Sequence, residues 1–416
     1  MKIYAIMILK GWSYMNKVKL LKTIKIISII LLVILVCEVG ILIYNSFFKE
    51  DHSVYFDSIN ASSNDSSSYV AVGSNNNNKE YYEKAKITKY NSRGEKIFEK
   101  LYNKGFNSVF LGVITDSDGY VAVGSYEASE EEHDNKVRSA LIVKYDKKGN
   151  LLFENSFQLL GNSKFMNLVK VDAGYLVVGQ SVYENMTLGF AEGGAFLIKY
   201  DNNGRLLWKK FYGDNKTAVY NDLVVVDNYI YVVGKDDSRV GIVAKYDMDG
   251  TLVKTTKYEF TDSLGFMSIV KVSDGLVVSG AKRKDNTTDA ILVKYDFDIN
   301  YLNEVSYDEN ENERYNRLVV DNNDNLIVIG TIGIYDTKKD TTGIEILKYD
   351  AVIAKYKSDL KLIKAVRYGD MRDDYFSDVI LRDNNYYVAG YSSYEDGSYL
   401  SKYIVYSDAL KVLEVR

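Results

Sequence analysis

Proline is absent from the 416 residues, cysteine occurs once, and histidine and tryptophan occur twice each. Without proline there are no cis-prolyl folding steps and no proline-rich linkers. The single cysteine, Cys37, lies in an apolar run, so an intramolecular disulfide is excluded and cysteine usage assigns no compartment. The two histidines, His52 and His133, flank an apolar run and sit in a polar stretch. A Ser/His/Asp or Cys/His site is therefore not expected, and no catalytic residue is assigned. No motif implies a cofactor or a metal. The Asp-rich segments at Asp116/Asp118, Asp247/Asp249 and Asp321/Asp324 lack the complete Ca²⁺ loop with its distal Glu. They read as hairpin turns. Glu130, Glu131, Glu132 and His133 are adjacent and read as a solvated loop.

Tyrosine, by contrast, is abundant, at 37 residues beside 16 Phe. It suits strands, where one ring face packs and the hydroxyl reaches an edge. The net charge of −5 conceals an asymmetry. Residues 1–48 hold six Lys and one acid, Glu38, which leaves 46 basic and 56 acidic residues beyond them. An acidic domain argues against nucleic acid as a partner.

Lys17, Lys19, Lys22 and Lys25 precede an apolar stretch at 26–48 that is long enough to cross a bilayer. The charge bias predicts a short basic cytoplasmic segment at 1–25, a transmembrane signal anchor at 26–48 and an extracytoplasmic domain at 49–416. The expected location is the cell membrane, single-pass, with the N-terminus inside. Two alternatives stay open. A lipidated Cys37 would normally follow Gly, Ala or Ser, and Val36 stands there. A cleaved signal would end in small residues, and here the apolar run continues through Ile41, Leu42, Ile43 and Tyr44.

The rest of the chain repeats. Gly73, Gly124, Gly179, Gly234, Gly280, Gly330 and Gly390 each close an apolar run, such as Tyr-Val-Ala-Val before Gly73. A second run ends in Lys-Tyr at Lys89, Lys144, Lys199, Lys245, Lys294 and Lys355, with a degenerate seventh copy at Val405-Tyr406. Twelve residues after each of the first six tyrosines comes Tyr102, Phe157, Tyr212, Tyr258, Tyr307 or Tyr368. An aromatic then opens the next unit, at Tyr55, Phe106, Phe165, Tyr220, Phe266, Tyr315 and Tyr375. Each unit reads as four short strands, a to d, with tight c–d turns such as Asp146-Lys-Lys-Gly149. The b and c runs are apolar throughout, which suits strands buried on both faces. The expectation is an all-β chain forming a seven-bladed β-propeller of four-stranded antiparallel blades, preceded by one transmembrane helix.

The pattern Lys-Tyr-Asp-x-x-Gly-x-Leu, complete at Lys144, Lys199 and Lys245, resembles the tandem propeller repeats of bacterial surface proteins and lipoproteins. The resemblance covers 55–416 and implies a cell-surface propeller. The copy running from Lys199 to Trp208 is similar to a quinoprotein blade. No recurring Trp-Asp pair, sialidase box or kelch Gly-Gly pair is present.

The c–d turns keep one length, while the b–c connections vary: 235–239 is short, and 125–138, 180–193 and 331–350 are long. Variation on one rim of a rigid ring is how repeat proteins vary what they bind. The candidate binding residues there are Tyr126, Tyr183, Phe190, Tyr335, Tyr391 and Tyr394. The expected function is a membrane-anchored binding or scaffold module for a membrane or envelope protein, or for a carbohydrate. A carbohydrate-active hydrolase or lyase would instead need a carboxylate cluster at the central opening. An envelope assembly factor is the third reading.

Overall fold

The computed structural model describes residues 54–61, 68–75, 83–127, 137–159, 161–185, 190–213, 218–237, 240–259, 261–284, 287–309, 312–339, 345–369, 373–393 and 399–415. The expected anchor at 26–48, the basic segment before it, both histidines and Tyr394 lie outside them. Among the described residues no helix is long and apolar enough to cross a membrane.

The described chain is all β, with 28 strands in chain order. The first sheet holds β1 (Val54–Ala61), β2 (Ser68–Asn75), β3 (Lys84–Asn91) and β4 (Lys96–Leu101). The second holds β5 (Phe106–Thr115), β6 (Gly119–Glu127), β7 (Arg138–Asp146) and β8 (Leu151–Phe157). The third is β9 (Asn162–Val171), β10 (Gly174–Asn185), β11 (Phe190–Tyr200) and β12 (Leu206–Tyr212). The fourth is β13 (Val219–Val226), β14 (Tyr229–Asp237), β15 (Val240–Asp247) and β16 (Leu252–Glu259). Eight strands then form one sheet: β17 (Thr261–Val272), β18 (Gly275–Lys284), β19 (Thr287–Tyr295), β20 (Tyr301–Tyr307), β21 (Asn312–Val320), β22 (Leu326–Lys339), β23 (Glu345–Tyr356) and β24 (Leu362–Tyr368). The last sheet is β25 (Asp373–Arg382), β26 (Asn385–Ser393), β27 (Tyr399–Tyr406) and β28 (Val412–Val415).

The architecture is an all-β propeller, and the expected count of seven separate blades is corrected. Five sheets are four-stranded blades, and the remaining eight strands are hydrogen-bonded as one sheet. The join is a single parallel bridge between Thr288 of β19 and Asn312 of β21. Sequence periodicity counts repeated units. It carries no information on whether neighbouring units share a bridge.

Strands b and c bury both faces. Ile142 and Val143 of β7, Val232 and Val233 of β14, and Ile327 and Ile329 of β22 have no exposed surface. The d strands are half-exposed, as in β8 and β16. Apolar clusters fill each space between neighbouring units, for example Val121, Val123, Leu168 and Val177 between the second and third sheets. At the seam where the last sheet meets the first, β1 packs on β25, β26 and β27. Tyr69 stacks on Tyr403 with ring centroids 4.7 Å apart, and on Tyr90 at 5.0 Å.

The repeated Gly has a steric cause. In all seven b strands it lies opposite an aromatic of strand a, beside a β-bulge. A Cβ on Gly234 would stand 1.9 Å from the Val219 carbonyl oxygen, so only Gly admits this approach. The c–d turns behave differently along the chain. Gly149, Gly204 and Gly250 take positive φ, and the equivalent sites later hold Ile299, Leu360 and Leu410, also at positive φ. Those three side chains are buried, and burial offsets the roughly 1–2 kcal/mol that left-handed backbone costs a non-Gly residue.

Candidate functional site

The bulge on strand a sets the site. The residue just beyond it takes the same register place in every unit: Ser58, Gly112, Asn167, Asp222, Ser268, Arg317 and Asp378. Strand a is innermost, so these positions form a ring around the central channel. Asn167, Asp222, Ser268, Arg317 and Asp378 interlock. Asn167 Nδ2 donates to Asp222 Oδ1, and Ser268 Oγ donates to Asp222 Oδ2 at 2.7 Å. The backbone N–H groups of Leu223 and Ile269 also donate to Asp222, at 2.8 and 3.1 Å. Arg317 Nη1 lies 3.3 Å from Asp222 Oδ2, and Arg317 Nε donates to Asp378 Oδ1 at 3.0 Å. Burial works against the Arg317 charge, but the two carboxylates outweigh it and raise its pKa further. Gly112 leaves the space that Asn167 uses, because a Cβ there would stand 3.0 Å from Asn167 Oδ1.

Beside the ring lies a cavity of about 410 Å³. Apart from the ring residues and Lys271, its lining is aliphatic, with Ile114, Val169, Val224, Val270, Val319 and Ile380 in the next inward-facing layer. Among the described residues no aromatic lines it. This is the size range of small-ligand sites.

A second set of buried charges is periodic. Of the six lysines of the Lys-Tyr runs, Lys199 is half-buried and Lys89 lies over the Tyr120 ring of the next unit, while Lys144, Lys245, Lys294 and Lys355 are buried. Each of these four reaches the next unit: Lys144 to Tyr175 Oη, Lys245 to the Phe297 carbonyl and Asp298, Lys294 to the Ser358 carbonyl, and Lys355 to Tyr386 Oη and Asp408. Lys144 also pairs with Asp116 at 3.1 Å and Asp118 at 2.7 Å. Burial pushes the Asp116 carboxyl up, but hydrogen bonds from Tyr175, the Ser117 N–H, Lys144 and Lys170 hold it well below the usual carboxylate range. The tyrosines of the same runs pair hydroxyls inside the core, Tyr220 with Tyr246 at 2.6 Å and Tyr315 with Tyr356 at 2.7 Å. Burial pushes the Tyr246 and Tyr356 hydroxyls up to about 12.

The Asp-rich turns are hairpin turns. Asp247 Oδ1 accepts from the N–H groups of Asp249 and Thr251, and Asp321 Oδ1 from those of Asn323 and Asn325. Asp116 and Asp118 instead hold Lys144. Among the described residues, one trio of carboxylates, Asp289, Asp308 and Glu313, brings an oxygen each within 4.8 Å of the others, close enough to share a divalent cation.

The structure does not gather the six aromatic candidates into one described patch. Tyr126 packs edge-on against Tyr102 at 6.0 Å, on the core between the first and second sheets, and Tyr391 stacks on Tyr375 at 5.0 Å. Tyr183, Phe190 and Tyr335 lie on strands, not in loops, because β10–β11 and β22–β23 extend as hairpins beyond the ring's common strand length. The central ring was not among the sequence candidates. Its signal is the residue two beyond the aromatic that faces the conserved-type Gly. Three of the aromatics chosen from sequence, Tyr55, Phe106 and Tyr375, are displaced from that register, which belongs to Phe56, Phe110 and Phe376.

No protein family and no curated protein matches the sequence. Solved structures do match the fold. A puromycin hydrolase mutant complexed with PGG aligns with a TM-score of 0.51 at 9% identity, over 88% of this chain and 55% of that one. The β-propeller domain of the Trilobed protease from Pyrococcus furiosus aligns at 0.49 and 8%, over 88% and 95%. Sqt1 from Chaetomium thermophilum aligns at 0.48 and 11%, over 86% and 84%. At these identities the likeness is one of fold, and the chain is a β-propeller.

Proposed function

We propose that this chain is a binding module, held at the outer face of a membrane by residues 26–48, and not a hydrolase. The observation that carries the reading is the state of the channel carboxylates. A carboxylate pair for acid/base chemistry needs one member free to give a proton and one free to take it. Asp222 accepts five contacts and Asp378 is paired with Arg317, so both are committed to holding the ring. What the channel then presents is a rigid polar ring and an aliphatic sleeve, a surface for contact. The tether and the outward location are supported by the Lys-flanked apolar run, and the cell-surface reading by the Lys-Tyr-Asp-x-x-Gly-x-Leu repeats. The extended hairpins carrying Tyr183, Phe190 and Tyr335 are the proposed contact for a protein or carbohydrate partner.

The test places photo-reactive residues at Tyr183 and Tyr335 in intact cells and identifies what is captured. One partner captured from both positions supports the reading. Hydrolysis of a glycan panel by the purified full chain, abolished by Asp378→Asn with the fold intact, overturns it.

A further inference from the structure

Among the described side chains of the channel ring almost every polar group already has a partner. Asn167 and Ser268 donate to Asp222, and the Asn167 oxygen accepts from the Leu168 N–H at 2.9 Å. Arg317 is the exception. Of the five N–H groups of a guanidinium, those on Nε and Nη1 face the two carboxylates, and Nη2 has no partner among the described residues. The Arg317 side chain is 28% exposed, and it lines the cavity. The remainder of the described lining is aliphatic apart from Lys271, which is exposed and alternates along β17 with the inward-facing Val270.

We infer that the central cavity takes an uncharged aliphatic ligand bearing one carbonyl head, the chemistry of an alkyl amide, with its oxygen accepting from Arg317 Nη2. This deepens the binding-module reading and rests on it. Three features select the class. The spare group is a donor, so the head must accept. Two carboxylates flank one guanidinium, so the local field is negative on balance and opposes an anionic head, although an isolated Arg would favour it. A cationic head has the right charge but offers no acceptor to Nη2. A sugar would bring many hydroxyls to a wall whose described inward-facing residues offer one spare donor and no aromatic platform, leaving most of them unsatisfied.

An isosteric series decides it: hexanamide, hexanoate and hexylammonium, with glucose as a fourth probe. Binding to the full chain in detergent is followed by ligand-observed NMR. Hexanamide is expected to bind at least about tenfold tighter than either charged analogue, since a hydrogen bond to a charged group is worth a factor of that order. Arg317→Met is expected to weaken hexanamide by about tenfold. Because that change also strands two carboxylates, Val224→Phe is the second variant. It fills the sleeve, leaves the ring untouched and is expected to abolish hexanamide binding with the circular dichroism unchanged. Hexanoate or hexylammonium binding as tightly as hexanamide overturns the inference, as does a Val224→Phe chain that still binds. Absence of binding by every probe overturns it as well. If partners are still captured at Tyr183 and Tyr335 in that case, the binding-module reading stands and only the cavity's ligand class falls.

Discussion

The Lys-Tyr lysines and the channel ring stand at equally regular places in the repeat, and they obey opposite rules. At the first, the residue type hardly varies: six of seven units have Lys, and Lys144, Lys245, Lys294 and Lys355 reach from one unit into the next, with the half-buried Lys199 the exception. At the second it changes almost every time, through Gly112, Asn167, Asp222, Ser268, Arg317 and Asp378. A position that must be the same in each copy serves the copy, joining each unit to its neighbour. A position that differs in each copy cannot serve the repeat, and the set has meaning only as a ring. In a repeat protein, constancy at a buried charged position marks scaffold, and variation at a buried charged position marks a site.

The largest expected effect tests the ring side of that contrast. Arg317→Met leaves Asp222 and Asp378 without their shared cation. Removing one partner of a buried ion pair typically costs about 3–5 kcal/mol, so urea unfolding of the variant is expected to show a loss of that order. Adding Asp378→Asn to Arg317→Met is expected to recover part of it. If Arg317→Met alone unfolds at the wild-type midpoint, the ring is not an interlocked unit and the contrast fails.

The next effect concerns the backbone that positions the ring. Gly234→Ala drives a Cβ against the Val219 carbonyl, which no side-chain rotation relieves. The expected loss is about 1–3 kcal/mol. A neutral Gly234→Ala, read by the same unfolding curve, would mean that the bulge on β13 is adaptable and that Asp222 is not held in register by it.

Smaller again are the lysines. Lys245→Met, Lys294→Met and Lys355→Met are each expected to cost about 1–2 kcal/mol. The three losses should be similar, and they should add in combination because the sites are far apart. Large differences among the three would break the claim that these positions are interchangeable scaffold.

Much of the fold was legible in sequence because its cause is local. An apolar run closed by Gly, a run closed by Lys-Tyr and an Asp-x-x-Gly turn each specify a strand or a hairpin without reference to anything distant. The order of strands within each sheet followed from that. What was not legible depended on partners far along the chain. The bridge from Thr288 to Asn312, which merges eight strands into one sheet, is one pair of residues and leaves no period. The channel ring was missed for a related reason. Asp222 and Arg317 lie in the runs Tyr-Asn-Asp and Tyr-Asn-Arg, which look like ordinary polar positions until the facing Gly fixes the register. Choosing Phe106 in place of Phe110 was enough to hide the equivalence. The long b–c connections looked like loops in sequence, whereas β22 and β23 continue pairing out to Lys339 and Glu345.

The smallest expected effect is one of pH, and it concerns the carboxylates that hold the lysines. Asp116 and Asp321 are both buried, which raises a carboxyl pKa, and both are nonetheless held below the ordinary value by their donors. For Asp116 these include Tyr175, Lys144 and Lys170; for Asp321, Asn325 and Lys355. A carboxyl whose folded pKa is depressed contributes stability that is complete above its unfolded pKa of about 3.9 and disappears as pH falls through the folded value. The urea midpoint should therefore be flat from about pH 7 to pH 5 and fall below about pH 4. Lys144 and Lys355 do not interfere in that window, because their pKa values are shifted upward and their contribution is lost only on the alkaline side. The double variant Asp116→Asn/Asp321→Asn starts from a lower midpoint and is expected to fall less steeply below pH 4. Asp378→Asn is the comparison on the ring side: it is expected to lower the midpoint at about pH 7. If the double variant falls as steeply as the wild type, the acid sensitivity lies elsewhere, and the lysines are held by geometry without help from ionised partners.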